Sequence, residues 1–83
     1  MKIPKKLKPG NIIEIHWVDH WSSSGWRSPK EVFDQSINCS SVGYYVGQNK
    51  NLLFLAASDD YNGYVGSAMG RLKKHITKIR ILK

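Results

Sequence analysis

The segment at residues 20–28, HWSSSGWRS, holds the side chains best suited to contact a ligand. Its two tryptophans, three consecutive serines, glycine and arginine follow neither strand nor helix periodicity, which predicts an irregular loop. Serine and glycine adapt their hydrogen bonding at low steric cost, while tryptophan and arginine supply contact area and charge. This composition is typical of a binding surface.

A second loop and a basic cluster complete the candidate site. Residues 58–66, SDDYNGYVG, add two tyrosines around an Asn-Gly turn, and a basic cluster begins at Arg71. Aromatic rings stack on flat groups and basic groups bind phosphate, so we expect an anionic ligand with a flat ring where these segments meet at one end of the fold. The predicted ligand-binding residues are Trp21, Ser22, Ser23, Ser24, Trp26, Arg27, Tyr61, Asn62, Tyr64, Arg71, Lys73, Lys74 and His75.

Catalysis and metal binding find little support in the sequence. No G-x-S-x-G motif accompanies the serine run, and the three histidines lack the spacing of a zinc site. The single thiol, Cys39, excludes an internal disulfide and favours a reducing cytosol. We therefore predict no enzyme activity, no metal and no cofactor, with Cys39 and Trp17 packed in the core.

Positive charge is concentrated at the two ends of the chain. Of the 13 basic residues, ten lie in residues 1–10 and 71–83, where no acid occurs, and all six acidic residues lie between them. If the first and last strands are neighbours, the two ends form one positive face suited to a polyanion. The hydrophobic content of 41% indicates a globular domain. No apolar run approaches the ~20 residues needed to span a membrane.

Hydrophobic periodicity predicts an all-β domain. The first strand, residues 12–19, places Ile13, Ile15 and Trp17 on one face and polar side chains on the other. A capping box at residues 28–31 predicts one short helical turn after the first long loop. Four more strands are predicted at residues 39–46, 52–57, 67–72 and 77–82. A 3₁₀ turn is predicted at residues 73–76, before the last strand.

This order of elements favours a five-stranded SH3-like or Sm-like small barrel over residues 11–83, behind a basic leader at residues 1–10. A five-stranded OB-fold is the competing architecture, but it needs a longer helix than residues 58–66 can form. Gly43 predicts a bulge or bend that curls the sheet. The wholly apolar strand LLFLAA at residues 52–57 predicts coverage on both faces and, with the small size of the chain, a homo-oligomer.

Four groups of residues give the chain a resemblance to a known family. They are Trp17-Val18-Asp19, Ser24-Gly25-Trp26, Cys39-Ser40-Ser41-Val42-Gly43-Tyr44 with Val46, and Ile76, Ile79 and Leu82. Over residues 12–82 the chain resembles a widespread group of small proteins encoded by tailed bacteriophages and prophages. The group often has an Ile-Pro pair before the last turn, where this chain has Arg71-Leu72-Lys73 and so carries more charge.

The resemblance implies a viral protein that acts in the cytoplasm of a bacterial host. Small accessory phage proteins commonly counter host defence by sequestering a nucleotide immune signal or by binding a defence protein, and others bind nucleic acid. Our leading hypothesis is a non-catalytic binding protein for a small anionic nucleotide of the cyclic oligonucleotide or ADP-ribose type. The alternatives are a module that binds single-stranded RNA or DNA and a protein inhibitor of a host defence factor.

Overall fold

The computed structural model describes residues 1–20 and 36–83. The predicted ligand-binding residues Trp21, Ser22, Ser23, Ser24, Trp26 and Arg27, and the predicted helical turn after them, lie outside the described residues. The described elements are β1 (Ile12–His20), β2 (Ser36–Gln48), β3 (Leu52–Asp59), β4 (Val65–Leu72), a 3₁₀ turn (Lys73–His75) and β5 (Ile76–Ile81).

The five strands form one antiparallel sheet in the order β4-β3-β2-β1-β5. The predicted all-β class is therefore confirmed, and so are the five strands and the 3₁₀ turn, although β2 begins three residues earlier than predicted. The first and last strands are neighbours, as the charge argument assumed. Among the described residues, β4 and β5 pair with no further strand, so the sheet is open.

Alternation along the strands builds a core on one face of the sheet, here called the inner face. Ile13 and Ile15 of β1 are fully buried, and their neighbours on β5 include buried Ile79. Leu53 and Leu55 of β3 fill the same core. Ala57 at the end of the predicted apolar strand is exposed, so coverage on both faces does not extend along its whole length.

The bulge or bend predicted at Gly43 lies further along β2. Its pairing with β3 shifts between Tyr45 and Gly47, while Gly43 serves a different purpose. A Cβ at Gly43 would lie 2.9 Å from the backbone oxygen of Ala56, so the glycine permits a close approach of the two strands. Tyr45 is buried in the core, and Val42 is 60% exposed on the opposite face.

The sheet divides next to Gly43. The pairing of β2 with β3 begins at Tyr44, whereas residues 36–43 of β2 pair with β1 alone. On the other side, the end of β3 beyond Ala56 pairs with β4 alone. Two arms of the sheet, β5–β1–β2 and β3–β4, therefore separate at this point, and a cavity opens between them.

The basic leader is part of the packed structure. Ile3 and Leu7 pack against the core, and the Gly10 N–H donates a 2.9 Å hydrogen bond to the Tyr45 carbonyl. Apolar residues thus hold the leader on the sheet while its lysines stay exposed. In the part of the chain that the structure describes, no helix is long and apolar enough to cross a membrane.

Candidate functional site

A cation–π contact on the inner face forms the centre of the candidate site. Trp17 comes from β1, and Arg71 comes from β4, where it pairs with buried Leu53. The Arg71 Cζ atom lies 3.8 Å from the centroid of the Trp17 ring, so the guanidinium stacks on the indole. The indole Nε1 donates a 2.9 Å hydrogen bond to the Ser41 hydroxyl, which fixes the ring orientation. We call this pair the Trp17–Arg71 stack.

One donor of the stack has no acceptor among the described residues. The Nε atom of Arg71 is shielded from solvent and has no hydrogen-bond partner within residues 1–20 and 36–83. A buried donor without a partner is costly, and a charged donor forms strong hydrogen bonds with carboxylate or phosphate oxygens. An anionic ligand at this position would remove that cost.

The larger cavity beside the stack, here called the fork cavity, lies where the two arms separate and has a volume of about 320 Å³. Its walls combine apolar surface with two hydroxyls and one guanidinium. The lining residues are Ser41, Val42, Leu55, Ala56, Ala57, Ser67, Met69 and Arg71. An apolar cavity with a few converging polar groups is the usual form of a small-molecule site.

The backbone of Ser67 is strained where it borders the fork cavity. Its φ of 54° lies in the left-handed region, which residues other than glycine rarely adopt. Such strain costs of order 1–3 kcal/mol and occurs disproportionately at binding sites. The strained position of a serine that lines the same cavity as Arg71 supports a binding role for this cavity.

A second cavity of about 200 Å³, the side cavity, also borders Arg71. Its lining residues are Trp17, Val18, Asp19, Gly70, Arg71, Leu72 and His75. Gly70 allows close packing beneath it, because a Cβ there would lie 2.9 Å from the Phe54 ring. Since Arg71 lines both cavities, the Trp17–Arg71 stack stands between them.

Two predicted basic residues lie at a third cavity, which we call the lysine cavity. It has a volume of about 390 Å³ and is lined by Lys50, Asn51, Leu72, Lys73 and Lys74. The Lys73 N–H donates a 2.8 Å hydrogen bond to the Asn51 carbonyl, which ties the 3₁₀ turn to the β2–β3 turn. The structure therefore brings four of the predicted residues, Arg71, Lys73, Lys74 and His75, to one end of β4.

The predicted aromatic loop lies at the other end of β4. Tyr61, Asn62 and Tyr64 belong to the turn between β3 and β4, and the two tyrosine side chains are 70% and 75% exposed. Because β4 runs between this turn and Lys73, about 20 Å separates the two groups at ~3.3 Å per strand residue. The expected meeting of the tyrosine loop with the basic cluster is not formed.

Two aspartates and a neighbouring tyrosine account for the shape of this turn. Asp59 Oδ1 accepts a 2.7 Å hydrogen bond from the Tyr61 N–H, and Asp60 Oδ1 accepts from the N–H groups of Asn62 and Tyr64. The Tyr61 ring meets Tyr44 edge to face, with centroids 6.0 Å apart. Hydrogen bonding with Tyr44 raises the pKa of Tyr61 above its ordinary value.

A charged cluster on the opposite, outer face forms an ion-pair network. His16 Nε2 lies 2.8 Å from Glu14 Oε1, and Arg80 Nε lies 3.8 Å from the same oxygen. The hydrogen bond with His16 lowers the pKa of Glu14 below its ordinary value, and the positive charge of Arg80 acts in the same direction. The carboxylate is thus held ionised by its partners, as in a structural ion pair.

Sequence reasoning missed several residues of the site. Trp17 does pack against the core as predicted, but its contact with Arg71 was not predicted, and Ser41, Ser67 and Lys50 were not singled out. The alternation of β1 placed Trp17 on the inner face correctly, but it could not indicate that Arg71 covers its ring. Lys50 lies in a turn far from the basic cluster in sequence, so only the strand pairing brings them together.

Comparison with known proteins returns no match: no protein-family profile, no curated protein and no solved structure resembles the chain significantly. The resemblance to phage proteins therefore stays a prediction. Within the described residues, no group of three His, Cys, Asp or Glu side chains could hold a metal ion.

Proposed function

We propose that the protein is a non-catalytic binding protein for an anionic ligand that carries a flat ring, of the nucleotide type. The observation that carries this proposal is the Trp17–Arg71 stack, which lies between two cavities and in which the Arg71 Nε has no acceptor from the part of the chain that the structure describes. Arginine recognises phosphate through a planar set of donors, and stacking on an aromatic ring orients that set.

The fork cavity supplies contacts for both parts of such a ligand. Leu55 and Met69 offer an apolar wall for a ring, and Met69 is 48% exposed and free to be covered. The hydroxyls of Ser41 and Ser67 and the guanidinium of Arg71 offer hydrogen bonds for a phosphate or ribose. In a phage protein, this chemistry would serve to sequester a nucleotide immune signal of the cyclic oligonucleotide or ADP-ribose type in the bacterial cytoplasm.

Calorimetry against a panel of mononucleotides, cyclic oligonucleotides and ADP-ribose tests this proposal. We expect at least one member to bind with a Kd in the micromolar range or below, and Arg71→Gln to weaken it about tenfold or more, since a charged hydrogen bond is lost. Lys5→Gln removes the same charge from an exposed residue that lines none of these cavities and should change little. No binding across the panel, or equal effects of the two variants, would contradict the proposal.

A single-stranded nucleic acid is the second candidate ligand. The three cavities, which extend along β4 from Ser67 to the lysines, and the two exposed tyrosines before β4 would give a long strand both basic groups and stacking faces. The logarithm of the binding constant falls linearly with the logarithm of the salt concentration, with a slope of about −0.7 for each phosphate of a single strand that the protein neutralises. A steep slope with a strand of ten or more nucleotides favours this candidate over a small nucleotide.

We also propose that the sheet belongs to an SH3-like or Sm-like small barrel and assembles as a homo-oligomer. The strand order and the 3₁₀ turn before β5 support the architecture. The outer edges of β4 and β5, which pair with no strand among the described residues, support assembly with a second copy. Light scattering should give a mass of at least twice 9.5 kDa, and a monomer at high micromolar concentration would exclude the oligomer.

A further inference from the structure

We infer that the lysine cavity is a second anion subsite and that the ligand is therefore a nucleotide with two phosphate groups in successive units, a dinucleotide or oligonucleotide. The inference rests on the proposed function, because it assigns the first phosphate to Arg71. It goes further in naming a second site, Lys50, Lys73 and Lys74, and in excluding mononucleotides as preferred ligands.

No acidic side chain among residues 1–20 and 36–83 neutralises the charge of the lysine cavity. Three of its five lining residues are lysines, and none is acidic. In the described part of the chain, both ion pairs use Glu14 and neither involves these lysines. Three like charges around one cavity repel each other, so a multivalent anion binding there would relieve the repulsion.

The local backbone holds Lys50 and Lys73 in place. Asn49 Oδ1 accepts hydrogen bonds of 3.0 Å and 2.8 Å from the N–H groups of Asn51 and Leu52, which closes the turn that carries Lys50. The 2.8 Å bond from the Lys73 N–H to the Asn51 carbonyl then joins this turn to the chain after β4. A preorganised backbone reduces the entropy lost when a ligand binds.

The three cavities follow one another through shared residues. Arg71 lines both the fork cavity and the side cavity, and Leu72 lines both the side cavity and the lysine cavity. Arg71 and Lys73 are two residues apart, about 6–7 Å along extended backbone. The chain therefore makes Arg71 and the lysine cavity close neighbours, and in the ligand we infer, two phosphates joined through one sugar occupy one site each.

Calorimetry with adenosine 5′-monophosphate and with 5′-phosphorylated diadenylate tests the inference. In the unaltered protein we expect the dinucleotide to bind at least about tenfold more tightly, because it gains charged hydrogen bonds at the lysine cavity. Lys73→Gln/Lys74→Gln should abolish most of this difference, because it weakens the dinucleotide far more than the monophosphate. Lys5→Gln/Lys6→Gln, which removes the same charge elsewhere, is the matched control and should preserve the difference.

The outcomes separate the two proposals. If both probes bind equally, or if the two double variants lower dinucleotide affinity to the same extent, the second subsite is excluded while the Arg71 site stands. If neither probe nor any other nucleotide binds, the proposed function fails and the second subsite fails with it. A thermal melt of each variant checks that the fold is retained, since Lys74, Lys5 and Lys6 are exposed and Lys73 is half-buried.

Discussion

Arg71 and Trp17 are in stacking contact at 3.8 Å although their strands, β4 and β1, share no backbone pairing. The 3₁₀ turn leads β4 directly into β5, and Ile76 at the start of β5 pairs with Trp17, so the contact forms where the end of β4 approaches β1. It is therefore a tertiary contact that joins the two arms of the sheet on either side of the fork cavity. Its contribution to stability can be measured apart from its contribution to binding.

We predict that Trp17 and Arg71 are energetically coupled in the absence of ligand. In a double-mutant cycle of Trp17→Leu and Arg71→Gln, the coupling should be about 0.5–2 kcal/mol in free energy of unfolding, the range for a partly desolvated cation–π contact. Urea denaturation of the four proteins measures it. Additive effects of the two substitutions would mean that the contact contributes nothing to folding.

Ser67→Gly should stabilise the protein, by about 1 kcal/mol, because glycine adopts a φ of 54° without the steric cost that serine bears. Ser67→Ala keeps the Cβ and the strain, and should not stabilise. If the hydroxyl contacts the ligand, both variants should bind more weakly than the unaltered protein. Denaturation and calorimetry on the same samples separate strain from binding, and equal stability of the two variants would contradict the strain argument.

Gly43→Ala should destabilise the sheet by about 1–3 kcal/mol, the usual cost of an added methyl group in a tightly packed site. The new Cβ would lie 2.9 Å from the Ala56 carbonyl oxygen, and a backbone atom cannot move aside without disturbing the pairing. Gly66→Ala is the matched control, because its Cβ would lie 3.6 Å from Ser58 in ordinary contact. A Gly43→Ala protein as stable as Gly66→Ala would show that the two strands separate more easily than the structure indicates.

The Glu14 carboxylate makes stability dependent on acid pH. Its pKa is lowered in the folded state, first by the hydrogen bond with His16, so ionised Glu14 favours the folded state above its ordinary pKa of 4.5. That contribution is lost as the pH falls through the lowered value. Between pH 7 and pH 2, the melting temperature of Glu14→Gln should therefore fall less steeply at the acid end than that of the unaltered protein. An NMR titration that gives Glu14 a pKa of 4.5 or higher would contradict this account.

Much of the fold could be predicted from the sequence because its strands alternate clearly. The periodicity of β1 identified Ile13 and Ile15 as core residues, and turn residues separated the later strands. In β2 the pattern is ambiguous, since Tyr44, Tyr45 and Val46 are all apolar in succession. There the pairing of Gly43 with buried Ile13 places Tyr45 on the inner face, and no local pattern indicates that pairing.

The site was less predictable than the fold for a geometric reason. The basic residues from Arg71 to His75 were recognised by charge alone, but their partners come from β1, β2 and the β2–β3 turn. The tyrosine loop was placed beside them on the assumption that both loops meet at one end, whereas β4 separates them. Which long-range groups meet depends on strand order and strand length, and β4 proved two residues longer than predicted.

The pairing of β1 with β5 also determines when the protein can finish folding. Strands β2, β3 and β4 follow one another through short turns, so their contacts are local and form early. The core residues Ile13 and Ile15, by contrast, pair with Ile81 and Ile79, from the last strand of the sequence. During synthesis, β1 therefore leaves the ribosome before the other strands but keeps one edge unpaired until β5 emerges. A ribosome-bound chain that is arrested before Ile76 should be sensitive to proteolysis within β1.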